Sequence, residues 1–553
     1  MIDLQLLKYS LAALLLLSAA VFVGFLPMVY AWQARRSTET VTVLEASVAA
    51  LIGAIVYFSL TGVLMVQLPV GMRRMVADVI ILLPMIAGGV LLWRRRPAWP
   101  AGFWRRKDLV LIIGTFLFSV LILLLAALKI NMPANLPDGA YVNKEHVSAV
   151  RIQVLTGDLP ADNVIPFVVQ EYLARSISFS RNNPVLPGQQ VTNRPILASL
   201  IGLPFRLSLR PVQPMADLPK YSYVGSDWPD FRVLVRDEAA FAVFLGIAVF
   251  LNASVLMGAG LFLTRIKRIS ARHCGLAVLL FATSPYFVFQ TIFTWPKALA
   301  GFFILAAAFQ YLVYRRAVLA GALLGLAYWS HPYAIGYFII AVALLGLSLR
   351  VPFRQRAQRI VLLTGAFGTV LTPWFVWAKY VIGSSSDLVQ QNFNTDGTMF
   401  AFSMARLGNL VNATLPTHLM VASTNAPALL SSSALNFSGA VGLLFFITMI
   451  VTHRASVPSV GPGSSAVLTH DPAERQLRRA AMYAGMASFL LTLVFSYAAV
   501  PLVHGWQPFV ALMLMLGVVW ASQSGAAALA VCALQVAVNL VLWQRFMAFR
   551  LHA

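Results

Sequence analysis

Apolar residues fill the chain in long uninterrupted runs separated by short clusters of Lys and Arg. A run of about 20 apolar residues covers a hydrocarbon core of roughly 30 Å, and such runs recur from Tyr9 nearly to the C-terminus. They predict helices over 9–32, 42–67, 75–93 and 108–130, then a long polar interval over 131–238. Further helices are predicted over 239–264, 272–290, 296–314, 317–331, 333–349, 358–381, 433–452, 478–500, 506–522 and 525–544. The first run is longer than a signal-peptide core and is followed by more spans, so it reads as a retained helix. The expected fold is an all-α polytopic membrane protein of about fourteen transmembrane helices, with one large water-facing loop after the fourth.

Composition agrees: 59% of the 553 residues are hydrophobic and 11% charged, against about 25% charged in an ordinary soluble domain. The formal charge of +22 does not point to nucleic acid, because the basic residues sit between apolar runs as topology signals. Arg94, Arg95, Arg96, Arg105, Arg106 and Lys107 mark one cytoplasmic connection, and Arg265, Lys267, Arg268, Arg272, Arg315, Arg316, Arg350, Arg354, Arg356 and Arg359 mark later ones. Only Arg73 and Arg74 fall on the opposite side. Glu45 and Asp78, near the ends of early helices, read as interfacial. Cys274 and Cys532 lie in separate apolar runs, which gives no basis for a disulfide or a zinc site.

This orientation places 131–238 and a smaller loop, 382–432, outside the cytoplasm of what is expected to be a bacterial inner membrane. Ten of the 19 acidic residues fall in 131–238 and are balanced there by ten Lys and Arg, so the segment reads as a folded unit. Val147, Val150, Val154 and Leu155 keep helical spacing, as do Phe167, Val168, Tyr172 and Leu173; both predict amphipathic helices able to lie on the membrane surface. Pro195 to Leu209, with Arg206 and Arg210 at its end, reads as a third helix docked at the interface. The chain thus divides into an N-terminal three-helix segment (1–107), a core with the large loop (108–381), the second loop (382–432) and C-terminal helices (433–553).

Candidate chemistry gathers at the outer surface. Directly after the fourth helix come Asp138, Tyr141, Lys144, Glu145 and His146. A carboxylate there can take a proton from an acceptor hydroxyl and a nearby cation can stabilise a phosphate leaving group; Pro-Asp-Gly is equally a turn sequence. Asp158 and Asp162 read either as ligands for a divalent cation or sugar hydroxyls, or as a turn and a helix cap. Arg151, Arg194, Lys297 and His331 are the outer cations. Lys297, beside Trp295 and Pro296 at a helix end, either snorkels or binds an anion.

The segments Asn193-Arg194-Pro195 through Pro204-Phe205, Ser284-Pro285-Tyr286 through Trp295-Pro296-Lys297, and Gly325 through Tyr328, His331 and Tyr333 resemble the GT-C superfamily of glycosyltransferases. So does a long outer loop with amphipathic helices and a membrane-proximal acid. The resemblance covers about residues 108–380. It implies transfer of a sugar from a polyprenyl-phosphate donor to a glycan, lipid or protein acceptor, with Asp138 as general base and Glu145 as its fallback. It further implies that Arg151, Arg194, Lys297 and His331 hold the donor phosphate and that Tyr141, His146, Asp158, Asp162 and Trp295 contact substrate. Three helices precede the one that comes first in that family, and no paired acids follow it. A transporter or flippase of lipid-linked glycans, and a polysaccharide polymerase or ligase using 382–432, are the competing readings; the transporter would show broken helices or ionisable groups at membrane depth.

Overall fold

The computed structural model describes residues 2–34, 41–95, 99, 102–127, 165–179, 191–193, 195–212, 237–292, 294–383, 471–492, 505–524 and 526–552. In chain order the helices are α1 (Leu4–Ala19), α2 (Leu26–Ala34), α3 (Val43–Val66), α4 (Val70–Arg95), α5 (Arg106–Ala126), α6 (Ile165–Arg175) and α7 (Leu197–Leu209). They continue as α8 (Glu238–Ala253), α9 (Val255–Leu263), α10 (Ala271–Thr283), α11 (Pro285–Ile292), α12 (Lys297–Tyr314), α13 (Ala317–Ser330) and α14 (Ala334–Gly346). The last are α15 (Phe353–Val376), α16 (Pro472–Leu490), α17 (Gln507–Ser524) and α18 (Ala526–His552). A π-helical turn, Ala20–Phe25, joins α1 to α2, and another, Trp377–Ile382, extends α15.

The post of the molecule is α8 with α9. Its sequence is apolar on every face, and a helix of that kind has to be surrounded by protein or lipid; here the 18-residue apolar window is wholly buried. Packing against it is close enough to demand glycine: a Cβ on Gly246 would overlap the carbonyl oxygen of Ser10 in α1. At the α8–α9 junction the Ser254 hydroxyl donates to the Leu251 carbonyl at 2.5 Å. Around this post α3, α4, α5 and α15 turn apolar side chains outward, among them Leu60, Leu64, Leu82, Ile86, Leu117 and Val361, the surface that a bilayer covers and water would not tolerate.

Seven helices among the described residues are long and apolar enough to cross a membrane, or eight if α10 and α11 count as one span bent by 70°. This is the architecture of a polytopic membrane protein; the described residues do not carry all of the fourteen full-length spans expected. For two of the helices the difference is one of length. The helices α13 and α14 hold 14 and 13 residues, about 20 Å each at 1.5 Å per residue, too short for a core of roughly 30 Å. The helix expected over 433–452 and the amphipathic helix expected over Val147–Leu155 lie outside the described residues.

The Lys- and Arg-rich ends of the helices meet at the short connection 264–270. Glu45, in the first turn of α3, accepts from Arg265 Nε at 2.9 Å and from Tyr314 Oη at 2.9 Å, so it is a cross-helix partner. Lys107 Nζ donates to the Ile266 carbonyl at 3.1 Å, and the Lys267 amide donates to Asp471 at 3.1 Å. Glu474 of α16 pairs with Arg268 and, at 2.7 Å, with Arg478. One connection is thereby held by α3, α5, α12 and α16.

At the opposite end the two amphipathic helices differ from expectation. Both α6 and α7 exist, but neither lies on a surface: every residue of α6, and Leu197 through Leu207 of α7, is buried. Their polar faces meet each other instead of water. Arg206 grips Glu171 through both Nε and Nη2, the latter at 3.0 Å, and Arg175 Nε reaches the same carboxylate at 3.1 Å. Asp237, which caps α8 by accepting from the Ala240 amide at 3.1 Å, also pairs with Arg206 and Arg210. Arg73, the cation on the wrong side of the charge pattern, is buried and ties chain ends together. It donates to the carbonyls of Val66, Leu68, Leu173 and Ala174 and to the Ser176 hydroxyl. Asp78 likewise is not a free interfacial acid but accepts from Ser208 at 2.5 Å.

Removing one member of a buried ion pair costs about 3–5 kcal/mol because the other is left charged. Arg206→Met should therefore destabilise the protein by that order in SDS titration of detergent-solubilised material, and Glu171→Leu added to it should recover part of the loss. At the other end, burial pushes the Glu474 carboxyl up, but hydrogen bonds and charge from Arg268 and Arg478 outweigh this and hold it below its ordinary value. A depressed carboxyl stabilises above its unfolded pKa and loses that contribution as pH falls through the folded value. Melting curves should show Glu474→Gln less stable than the wild type at pH 7, with the gap closing below about pH 4.5.

Candidate functional site

The chain enters α12 through a single turn, Thr294–Pro296, and three expected residues meet there. Lys297 opens the helix, its amide donating to the Trp295 carbonyl at 2.7 Å, and its ammonium lies 4.4 Å from the centre of the Trp295 indole. The Trp295 ring stands 5.8 Å from the ring of His331, which in turn stands 5.0 Å from Tyr333. The Tyr333 amide donates to His331 Nδ1 at 3.3 Å, so in the neutral imidazole the proton sits on Nε2. Tyr333 Oη donates to the Lys297 carbonyl at 2.7 Å, closing the group.

The level of this group follows from helix lengths. An 18-residue α12 places Lys297 about 25 Å from Tyr314 at the basic end, and the α13–α14 hairpin turns back at His331-Pro332-Tyr333 after about 20 Å. The first is the length of a candidate membrane span; the second is shorter than one. Lys297 is 1% exposed, so it is not the surface cation the pattern of charges suggested. It is a buried one, and an ionisable residue enclosed at the end of a candidate membrane span is a candidate for function.

What allows it is a residue that sequence reasoning passed over. Asn252, fully buried on α8, donates from Nδ2 to the Trp295 carbonyl at 3.1 Å and accepts from the Leu299 amide at 3.2 Å. A Pro precedes α12 and supplies no cap; Asn252 caps it from another helix. Its signal was a lone amide inside an otherwise apolar run. Cation, imidazole and the N-terminal end of an 18-residue helix thus stand together inside the protein.

A second set of missed residues lies one turn toward the basic end. Tyr337 Oη donates to the Gly505 carbonyl at 2.6 Å and meets Ser488 at 3.1 Å, and Gln507 donates to Gln290 at 2.8 Å. These polar atoms were invisible as a cluster because they come from α11, α14, α16 and α17.

The remaining expected site residues, Asp138, Tyr141, Glu145, His146, Arg151, Asp158, Asp162 and Arg194, lie outside the described residues. Among the described residues no group of three His, Cys, Asp or Glu side chains could hold a metal ion, and both cysteines are buried and unbridged. No family model, no curated protein and no solved structure matches the chain.

Asn252→Leu should leave the buried Leu299 amide without its partner, at about 1–3 kcal/mol, and the Trp295 carbonyl with the Lys297 amide alone. The expected outcome is a lowered melting temperature with a shift in Trp emission, since Trp295 loses its anchor; an unchanged spectrum and melt would remove Asn252 from the site.

Proposed function

We propose that the chain is an inverting glycosyltransferase that moves a sugar from a polyprenyl-phosphate donor to a glycan, lipid or protein acceptor on the extracytoplasmic face of a bacterial plasma membrane. The observation that carries this reading is the buried Lys297, at the N-terminus of a candidate membrane span beside Trp295 and His331. The residues quoted for the GT-C resemblance include all three. In the reaction, the Asp138 carboxylate takes the acceptor's hydroxyl proton and the acceptor oxygen attacks the anomeric carbon from the face opposite the phosphate. The bond from that carbon to the phosphate oxygen breaks, and its electron pair leaves with the polyprenyl phosphate. Lys297, and Nε2–H of His331, stabilise the charge that develops there.

A second reading draws on a specific feature. A helix bent by 70° and a buried cation at membrane depth are also what a transporter of lipid-linked glycans uses. The two separate in detergent, where transfer chemistry persists and transport has no meaning.

Purified protein given radiolabelled polyprenyl-phosphate hexoses and pentoses with a membrane extract should label the acceptor. Lys297→Gln should lower that rate by about 10²–10³-fold and Asp138→Asn by about 10²–10⁴-fold. Labelling by neither wild type nor variant, with uptake of the same lipids into sealed vesicles, would turn the assignment to transport.

A further inference from the structure

The amide pair beneath Lys297 carries a cost. Gln290 and Gln507 are both fully buried, joined by the 2.8 Å bond from Gln507 Nε2 to Gln290 Oε1. Gln507 Oε1 has no hydrogen-bond partner. A buried amide oxygen left without a donor destabilises a fold, and two apolar residues in its place would not. The pair sits next to the proposed phosphate site. A Cβ at Gly301 would lie 3.5 Å from Tyr333 Oη and 3.6 Å from the Gln507 Cβ, and Gly301 is one turn, about 6 Å, along α12 from Lys297. Gln290 is carried by α11, the half of the bent α10–α11 pair that leaves the span direction by 70°, and broken helices persist in membranes where they line a site.

The layer's chemistry selects the ligand. Gln290, Gln507, Tyr333, Tyr337 and Ser488 are all uncharged, so they offer nothing to balance an ion, while an amide oxygen accepts well from a hydroxyl. We infer that this layer receives the hydroxyls of the sugar on the lipid-linked substrate, with Gln507 Oε1 as an acceptor, while the anionic group stays at Lys297. The inference rests on the proposed function, since it assumes a lipid phosphate carrying a sugar.

The test compares binding of polyprenyl phosphate with binding of the same lipid bearing glucose, mannose or galactose, to full-length protein in nanodiscs, read by native mass spectrometry. In the Gln290→Leu/Gln507→Leu double variant neither glutamine amide is left facing a missing mate, so the protein should still fold. Affinity for bare polyprenyl phosphate should stay at the wild-type value while affinity for the preferred hexose lipid falls about tenfold. Gln507→Asn, which withdraws the oxygen by one carbon, should show the same selective loss and serves if the double variant does not fold. A hexose preference undiminished in these variants, or equal losses for both lipids, overturns the amide assignment alone. If the wild type binds no polyprenyl lipid at all, the function falls and this inference with it.

Discussion

An ionised side chain taken out of water inside a protein is costly unless it is paired, and the Glu171–Arg206–Asp237 chain is where this fold meets that demand. It joins three parts that share no sequence neighbourhood: α6, α7 and the N-terminus of the central α8. Arg175 and Arg210 complete it, and Arg73 extends the same tie to α4 through backbone carbonyls. Without this chain two short amphipathic helices would have no reason to leave the surface. With it, their polar faces satisfy each other and their apolar faces pack on α3, α4 and α8, so the post is enclosed at its far end as it is at the basic one.

That enclosure is what gives the Lys297 group its setting. The post carries Asn252, Asn252 caps α12, and the cap fixes where the ammonium stands relative to Trp295 and His331. The hairpin of α13 and α14 contributes His331 and Tyr333 because it is short: two full-length spans would have carried that turn to the water. A charge in such a place interacts more strongly with an opposite charge than it would in water, and the same burial raises the cost of holding it. The indole face and the helix end offset part of that cost.

Much of the scaffold was legible in the sequence. Apolar runs located α3, α4, α5, α12, α13 and α17 to within a few residues, and the spacing of Phe167, Val168, Tyr172 and Leu173 located α6. Periodicity says which face of a helix is polar; it does not say whether water or another protein charge covers that face, and so α6 and α7 were expected on the membrane surface. Hydropathy similarly counts apolar residues without fixing span length, and α13 and α14 passed for spans on that ground. The bend at Ser284–Pro285 was in plain view as a proline within a predicted helix. Arg73 was legible only as an exception to the charge pattern, and its partners lie about a hundred positions away.

The site divides along the same line. Lys297, Trp295 and His331 stood out because charged, indole and imidazole groups are conspicuous in apolar surroundings. Gln290, Gln507, Ser488 and Asn252 did not, because a single amide or hydroxyl in an apolar run looks like tolerated polarity. Only tertiary structure sets Asn252 as the cap beside a cation and gathers Gln290, Gln507 and Ser488 into a polar layer beneath it. A phosphate needs charge, and a sugar needs neutral acceptors and donors whose desolvation costs less than an ion's. A substrate that joins the two through one ester bond calls for both kinds of group within a few ångströms, and the step of about 6 Å along α12 from Lys297 to Gly301 is of that size.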